Sequence, residues 1–214
     1  MNIAIIPARK GSKRLKNKNF LIYKKKMMVE HTIISAIKSK IFNKIILSSD
    51  SKKALRLSKK YNIDFDWRIG KLSNSKARIN DVCLSVVNKF KIDKTKNSKI
   101  FVLYATAPER NFKDIRKFNL LAKKFNANFA MGITKFNHSP LQALRKKSIF
   151  LKPYFKNLVN KKNSTIGNFF AGNGSMYFAK VRAFLKYKSF YGPRLIGYEM
   201  PFYKSVDIDD IDDF

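Results

Sequence analysis

The sequence predicts an α/β fold: an open, mainly parallel sheet with helices on both faces. Short apolar runs typical of buried strands alternate with longer segments in which apolar residues recur at helical spacing. The first runs end in turn-forming or polar residues, at Pro7 and at Ser49. Ligands of such sheets bind outside the carboxyl ends of the strands. We therefore expect the functional residues in the loops after Pro7, Ser48 and Tyr104.

The predicted elements follow one another in the order that this fold requires. A strand over Ile3–Ile6 leads into a polar loop that runs to about Asn19, and a helix with apolar residues from Val29 to Ile41 follows. The same patterns predict strands over 44–48, 99–104, 129–134 and 175–178, and helices over 51–61, 79–90 and 111–125. The regularity breaks over 137–170, where we expect an excursion from a single domain, 1–214, used for dimer contact or substrate binding.

The composition limits the classes of protein to which the chain can belong. A length of 214 residues with 45% hydrophobic residues is enough for a packed core. The longest apolar runs are far shorter than the roughly 20 residues of a membrane-spanning helix, so we expect neither such a helix nor a signal peptide. Cys83 is the single cysteine and cannot form an internal disulfide, which favours a reducing cytoplasm.

The net charge of +32 would ordinarily suggest a polyanionic partner. Only ten of the 46 basic residues are arginine, however, and the lysines are scattered along the whole chain. Nucleic-acid readers usually concentrate arginine for bidentate contacts, whereas a diffuse coat of lysines is mostly solvated surface. We therefore expect no nucleic-acid partner, and a basic nucleic-acid-binding protein remains the alternative from another functional class.

The loop after the first strand has the composition of a triphosphate cradle. Gly11 lets backbone N–H groups approach oxyanions, and Ser12 adds a hydroxyl donor. Arg9, Lys13 and Lys18 supply the positive charge that phosphates require. Neither the P-loop pattern nor the GxGxxG fingerprint is present, and a lysine-rich surface turn is the alternative interpretation.

Four motifs, each at or near the end of a predicted strand or in the acidic C-terminal segment, resemble those of the acylneuraminate cytidylyltransferase family. They are IPARKGSKRLKNKN at 6–19, IILSSD at 45–50, LYATAP at 103–108 and SVDID at 205–209. The resemblance implies a Rossmann-like, three-layer nucleotidyltransferase fold with a protruding dimerisation segment. It also implies transfer of CMP from CTP to the anomeric hydroxyl of a nine-carbon 2-keto sugar acid, with release of pyrophosphate. A cytidylyltransferase for 3-deoxy-manno-octulosonate is the alternative enzyme.

Other segments bear on the branch of the family. Residues 104–108 and 139–144 resemble the pseudaminic acid branch, whereas residues 173–177 are closer to the sialic type, and legionaminic acid is a third possible substrate. Residues 72–78 depart from the family's acidic, Thr-containing loop near the nucleotide. The family also continues past its Asp-rich motif into a terminal helix, whereas this sequence ends at Phe214.

The resemblance implies roles for individual residues. The nucleotide-binding set is Ala8, Arg9, Gly11, Ser12, Lys13, Lys18 and Asn19. The candidates for the sugar acid are Tyr104, Thr106, Gln142 and Asn173. The catalytic residues would be Arg9, Lys13, Lys18 and Asp209, with Asp209 or a metal-bound water assisting deprotonation of the attacking hydroxyl.

Acidic residues are scarce, yet five of the 14 lie in the last eight positions. In extended backbone the carboxylates of Asp207 and Asp209 project to one side and can hold Mg²⁺ together with substrate phosphates. We therefore predict that these two residues are the metal ligands and that Mg²⁺ is the cofactor. Asp210, Asp212 and Asp213 are typical of an acidic tail that offsets charge or caps a helix.

A pocket of this kind should prefer one nucleotide. We expect CTP to raise the melting temperature most when the protein is heated with Mg²⁺ and each of the four ribonucleoside triphosphates in turn. A ligand of the folded state stabilises that state more when it binds more tightly. Equal stabilisation by all four would reduce the first loop to a generic lysine surface.

Overall fold

A computed structural model of the chain describes residues 1–12, 14–74, 76–92, 97–136, 138–159 and 168–213. In chain order its strands and helices are β1 (Asn2–Pro7), β2 (Ile22–Tyr23), β3 (Lys26–Met27), α1 (Met28–Ser39), β4 (Lys44–Ser49), α2 (Lys52–Lys60), β5 (Asp64–Trp67), α3 (Ile79–Lys89), β6 (Lys99–Leu103), α4 (Phe112–Lys124), β7 (Phe129–Lys135), β8 (Leu144–Lys147), β9 (Phe150–Pro153), β10 (Phe170–Lys180), α5 (Val181–Tyr187) and β11 (Leu195–Glu199).

The centre of the molecule is a seven-stranded sheet in the order β11-β7-β10-β6-β1-β4-β5. Strand β10 runs antiparallel to β6 and β7, and the other neighbouring pairs are parallel. Along β1 the buried side chains alternate: Ala4 and Ile6 pack on the face covered by α1, α2 and α4, and Ile3 and Ile5 pack on the face covered by α3 and α5. The predicted three-layer α/β fold is therefore confirmed.

The elements that sequence periodicity identified are present with small shifts at their ends. The elements that were not predicted are the short strands β2 and β3, strand β5, the strands β8 and β9 of the excursion, helix α5 and strand β11. Strand β5 was missed because its four residues include two aspartates and contain no apolar run. Strand β10 is longer than the predicted strand over 175–178 because the sheet extends past the Gly172–Gly174 segment, with a register shift between Gly172 and Tyr177.

The predicted excursion forms a separate antiparallel hairpin, β8–β9, outside the central sheet. Residues 137 and 160–167 of that excursion lie outside the described part of the chain. Strand β10, which begins at Phe170, marks the return to the sheet. Across the described residues, no helix is both long and apolar enough to cross a membrane.

A buried arginine joins three elements at the carboxyl edge of the sheet. Arg110 is 1% exposed, and its Nη1 donates to the carbonyl oxygens of Tyr104, at 3.2 Å, and of Ser175. Its Nη2 donates to Thr32 Oγ1 on α1 at 2.8 Å. Burial lowers the pKa of Arg110 to about 10, and the nearby Asp114 opposes that effect. The side chain thereby fixes the loop that follows β6 against α1 and β10.

Arg110→Leu should lower the free energy of unfolding by about 3 kcal/mol, because two carbonyls and a hydroxyl would lose their buried donor. Urea denaturation measures this loss. Arg56→Leu is the control, since Arg56 is exposed on α2 and should change stability by less than about 0.5 kcal/mol. Equal stability of the two variants would contradict the structural role of Arg110.

Candidate active site

A cavity of about 220 Å³ opens where β1 and β6 reach their carboxyl ends. Its walls come from the loops after β1, β5 and β6, from the start of α3 and from the C-terminal segment. The lining residues are Pro7, Arg9, Lys18, Asn19, Arg68, Ala77, Ile79, Val82, Tyr104, Thr106, Asp207 and Asp209. The structure thus brings together the predicted cations Arg9 and Lys18 and the predicted carboxylates.

Hydrogen bonds from side chains of the first loop to its own backbone carbonyls hold that loop in shape. Asn19 Nδ2 donates to the Arg9 carbonyl at 2.9 Å, and Arg9 Nη1 donates to the Gly11 carbonyl at 2.6 Å. The space around Gly11 is open. Ser12 Oγ is buried and has no hydrogen-bond partner within the described ranges, and Ser12 is not among the residues that line the cavity. Lys13 lies outside the described residues.

Ala8 contributes shape to this edge of the sheet. It is fully buried, its N–H donates to the Ser48 carbonyl at 2.9 Å, and its carbonyl accepts from the Ser49 hydroxyl. Both of its backbone polar groups are therefore engaged within the protein. If Ala8 contributes to nucleotide binding, it does so because its small side chain lets the nucleotide come close, since its backbone N–H is already bonded.

Asp209 is the point at which the C-terminal segment meets the first loop. Its carboxylate forms ion pairs with Lys18 and with Arg14. Burial alone would raise the pKa of Asp209, but these two cations hold it below its ordinary value. Asp213 accepts the backbone N–H groups of Asp209, at 2.8 Å, and Asp210, at 3.2 Å. Asp213 is therefore bonded to the segment that carries Asp209, beyond the charge compensation predicted for it.

Asp207 differs from Asp209 in its surroundings. Burial raises its pKa, although a hydrogen bond from Thr106 works in the opposite direction. Its Oδ1 is buried and has no partner among the residues that the structure describes. Gly174, with φ of 66°, packs against this carboxylate, and an added Cβ would lie 2.5 Å from Asp207 Oδ2. The fold therefore places a carboxylate with a buried, unpartnered oxygen at a cavity that is lined by three cationic side chains, those of Arg9, Lys18 and Arg68.

These carboxylates fit a magnesium ion that is completed by substrate. Asp207 offers a buried and unpartnered oxygen, and Asp209 lines the same cavity. The described part of the chain contains no cluster of three or more metal-binding His, Cys, Asp or Glu side chains. Mg²⁺ is often held by one or two carboxylates, with phosphates and water filling the remaining positions. The donor set therefore suits Mg²⁺ bound together with a nucleotide.

The four candidates for the sugar acid are not equally placed. Tyr104 and Thr106 line the cavity, and burial raises the pKa of Tyr104, so its hydroxyl remains protonated. Asn173 is 5% exposed and lies outside the lining. Its Nδ2 donates to Ser205 Oγ at 3.1 Å, and its Oδ1 accepts from Ser175. The Asn173 amide therefore connects β10 to the C-terminal segment. Gln142 is exposed in the excursion, away from the lining.

Sequence reasoning missed Arg68, which follows β5 directly. This residue is 5% exposed, its Nε donates to Ser48 Oγ at 2.9 Å, and it lines the cavity. Its Nη2 is buried and without a partner in the described ranges. Burial lowers the pKa of Arg68, while the nearby Asp66 raises it. The sequence shows Arg68 only as one of a few arginines in a lysine-rich chain. That observation does not indicate whether the side chain is buried.

Known proteins resemble this chain over nearly its whole length. A family model described as cytidylyltransferase matches residues 3–148. An N-acylneuraminate cytidylyltransferase of Escherichia coli is 30% identical, over 99% of this chain and 50% of that protein, so the chain spans about half the length of that relative. A pseudaminic acid cytidylyltransferase of Campylobacter jejuni is 28% identical, over 99% of this chain and 92% of that protein.

A solved structure has the same fold at low sequence identity. It is a CMP:2-keto-3-deoxy-manno-octonic acid synthetase complexed with CTP, with a TM-score of 0.68 and 12% identity. The match covers 98% of this chain and 93% of the other. This likeness supports the three-layer fold.

Asp207→Asn should separate stability from activity. The raised pKa means that the folded state favours the neutral carboxyl, so the ionised form at neutral pH lowers stability and the neutral isostere should melt at a higher temperature without metal. The difference should disappear as the pH falls through the carboxyl's titration range, because Asp207 then becomes neutral too. Turnover should be lost. Calorimetric melting across pH checks this, and a variant that melts lower at neutral pH would contradict the assignment.

Proposed function

The chain belongs to the cytidylyltransferase family, and from that premise we propose that it transfers CMP from CTP to the anomeric hydroxyl of a nine-carbon 2-keto sugar acid, releasing pyrophosphate. The observation that carries the proposal is the single cavity in which Arg9 and Lys18 lie beside Asp207 and Asp209. Cations suit the triphosphate and carboxylates suit its metal, and both occur at the edge of the sheet where this fold binds ligands.

The proposed sugar class rests on the names of the relatives. Those named above are an N-acylneuraminate and a pseudaminic acid cytidylyltransferase, with nearly equal identities to this chain. We therefore propose a substrate of sialic, legionaminic or pseudaminic type. The resemblance of residues 104–108 to the pseudaminic branch makes pseudaminic acid the first to test.

The proposed reaction is an in-line displacement at the α-phosphorus. The anomeric oxygen forms a bond to this phosphorus, the bond from the phosphorus to the oxygen bridging to the β-phosphate breaks, and the hydroxyl proton is released. Arg9, Lys18 and the free hydroxyl of Ser12 hold the triphosphate and balance the charge of the departing pyrophosphate, together with the predicted Lys13. Catalysis of this type is mostly positioning and charge stabilisation.

Asp207 and Asp209 would hold Mg²⁺, which when bound supplies positive charge against the phosphates. Asp209, paired with Lys18 and Arg14, stays ionised and acts as a fixed negative charge. Asp207 has the raised pKa and the free Oδ1. The acceptor of the hydroxyl proton stays the predicted one, Asp209, because Oδ1 of Asp207 is the oxygen assigned to the metal.

The base of the nucleotide would lie toward Arg68. Cytosine presents two neighbouring acceptors, O2 and N3, and a guanidinium with free terminal N–H groups is their natural donor. The buried Nη2 of Arg68 is such a donor, and Ala77 and Ile79 form an apolar wall of the same cavity. This placement gives the enzyme a physical means of preferring CTP.

Pyrophosphate release tests the proposal. With CTP and Mg²⁺, a nine-carbon 2-keto sugar acid should support turnover and 3-deoxy-manno-octulosonate should not. Arg9→Ala should reduce kcat/KM by the equivalent of roughly 2 to 4 kcal/mol, because it removes one preorganised donor to the developing charge. Lys10→Ala is the matched control, since Lys10 is exposed and its hydrogen bonds to Asp50 and Ser12 are made by its backbone N–H and carbonyl, which the substitution keeps. Equal losses in the two variants would overturn the role of Arg9.

We further propose that the enzyme is a cytoplasmic homodimer and that the β8–β9 hairpin is its contact. The single cysteine is buried, as suits a reducing compartment. The hairpin exposes a run of apolar side chains, with Ile149 81%, Phe150 70% and Leu151 56% exposed. Large apolar side chains that are exposed close together commonly mark a protein interface.

Phe150→Asp should convert the dimer into a monomer, because it places a charge in the centre of the apolar hairpin surface. Light scattering coupled to size-exclusion chromatography measures the mass. Leu120→Asp is the control, since Leu120 is 62% exposed on α4, far from the hairpin in sequence, and should leave the mass unchanged. A wild-type protein with the mass of a monomer would contradict the proposed dimer.

A further inference from the structure

A chain of buried polar groups runs behind Arg68, away from the cavity. Ser48 is fully buried on β4, and Asp66 is 4% exposed on β5. The two residues lie opposite each other in the register of the parallel pair β4–β5. Lys89 on α3 closes the outer end of the chain, with its Nζ 2.8 Å from Asp66 Oδ1.

The direction of the hydrogen bonds in this chain is fixed by chemistry. Ser48 has one hydroxyl proton, and Asp66 Oδ2, 2.6 Å away, can only accept it. The Ser48 oxygen is then left to accept from Arg68 Nε, at 2.9 Å. A serine hydroxyl therefore stands between a buried carboxylate and a buried guanidinium.

This arrangement has a consequence for the free end of Arg68. A carboxylate in direct, bidentate contact would occupy two of the guanidinium donors. The interposed serine uses only Nε, while the negative charge of Asp66 still offsets part of the cost of burying the arginine. Nη2 is buried and has no partner in the described ranges, and Arg68 is one of the residues that line the cavity. The backbone N–H of Arg68, bonded to the Ser49 carbonyl at 2.9 Å, fixes the position of the residue.

We propose that Ser48 and Asp66 are positioning residues that aim the Arg68 guanidinium at the base of the nucleotide and thereby set the preference for cytosine over uracil. The inference rests on the proposed function. Cytosine N3 is an acceptor, whereas uracil carries a hydrogen at N3, so a guanidinium held rigidly toward O2 and N3 binds cytosine and repels uracil. A guanidinium that can rotate away loses this discrimination.

Calorimetric titration of CTP, UTP and inorganic tripolyphosphate, each with Mg²⁺, tests the proposal. Ser48→Ala should weaken CTP binding by about tenfold, the scale of one lost hydrogen bond to a charged group, and should change UTP binding little. Tripolyphosphate binding should not change, because it reports on the first loop alone. Ser48→Thr, which keeps the hydroxyl, should retain the CTP preference. Asp66→Asn, which keeps the shape and removes the charge, should reduce it.

Ser58→Ala is the matched control, since Ser58 is also a buried serine, and its hydroxyl donates to the Leu55 carbonyl within α2. Its CTP to UTP ratio should equal that of the wild type. If Ser48→Ala keeps the wild-type ratio, or weakens all three ligands equally, the positioning role is overturned while the proposed function stands. A wild-type protein that binds CTP and UTP alike would overturn the proposed function and this inference with it.

Discussion

The site depends on one ion pair that joins the two ends of the chain. Lys18, in the first loop, binds the Asp209 carboxylate and also donates to the Ile208 carbonyl at 3.1 Å. The N–H of Ile208 donates to the Thr106 carbonyl at 2.9 Å. The C-terminal segment is thereby fixed across the carboxyl ends of β1 and β6. Without this attachment the carboxylates would have no defined position relative to the cations, and the cavity would lose a wall.

The surroundings of the two carboxylates shift their pKa values in opposite directions. Asp209, paired with Lys18 and Arg14, has a lowered pKa and remains charged. Asp207, pressed against Gly174 and largely removed from solvent, has a raised pKa and an oxygen without a partner. In a protein of net charge +32, a site for a cation has to be made by local carboxylates such as these. The proposed site carries a cost in stability at Asp207, whose ionised carboxyl is disfavoured by burial.

The order of the motifs was sufficient to predict the fold and much of the site, because Arg9, Lys18, Thr106 and the two carboxylates are carried by segments that the parallel sheet brings to one edge. Arg68 could not be predicted in this way. Its burial comes from the register of β4 with β5, a strand that lacks an apolar run. Asn173 shows the reverse case, since its motif suggests a ligand contact while its amide is engaged by Ser175 and Ser205.

The central claim is that the carboxylates of the C-terminal segment hold a divalent cation beside the triphosphate. Electron paramagnetic resonance of Mn²⁺ in the presence of CTP measures this without relying on turnover. Asp207→Asn should weaken Mn²⁺ binding by about tenfold or more, because it removes the charge of the ligand with an unpartnered oxygen, keeps its shape and leaves the Lys18–Asp209 ion pair in place. Asp212→Asn, a change to an exposed residue five positions away, should bind Mn²⁺ as the wild type does. Equal Mn²⁺ affinity in the two variants would contradict the account.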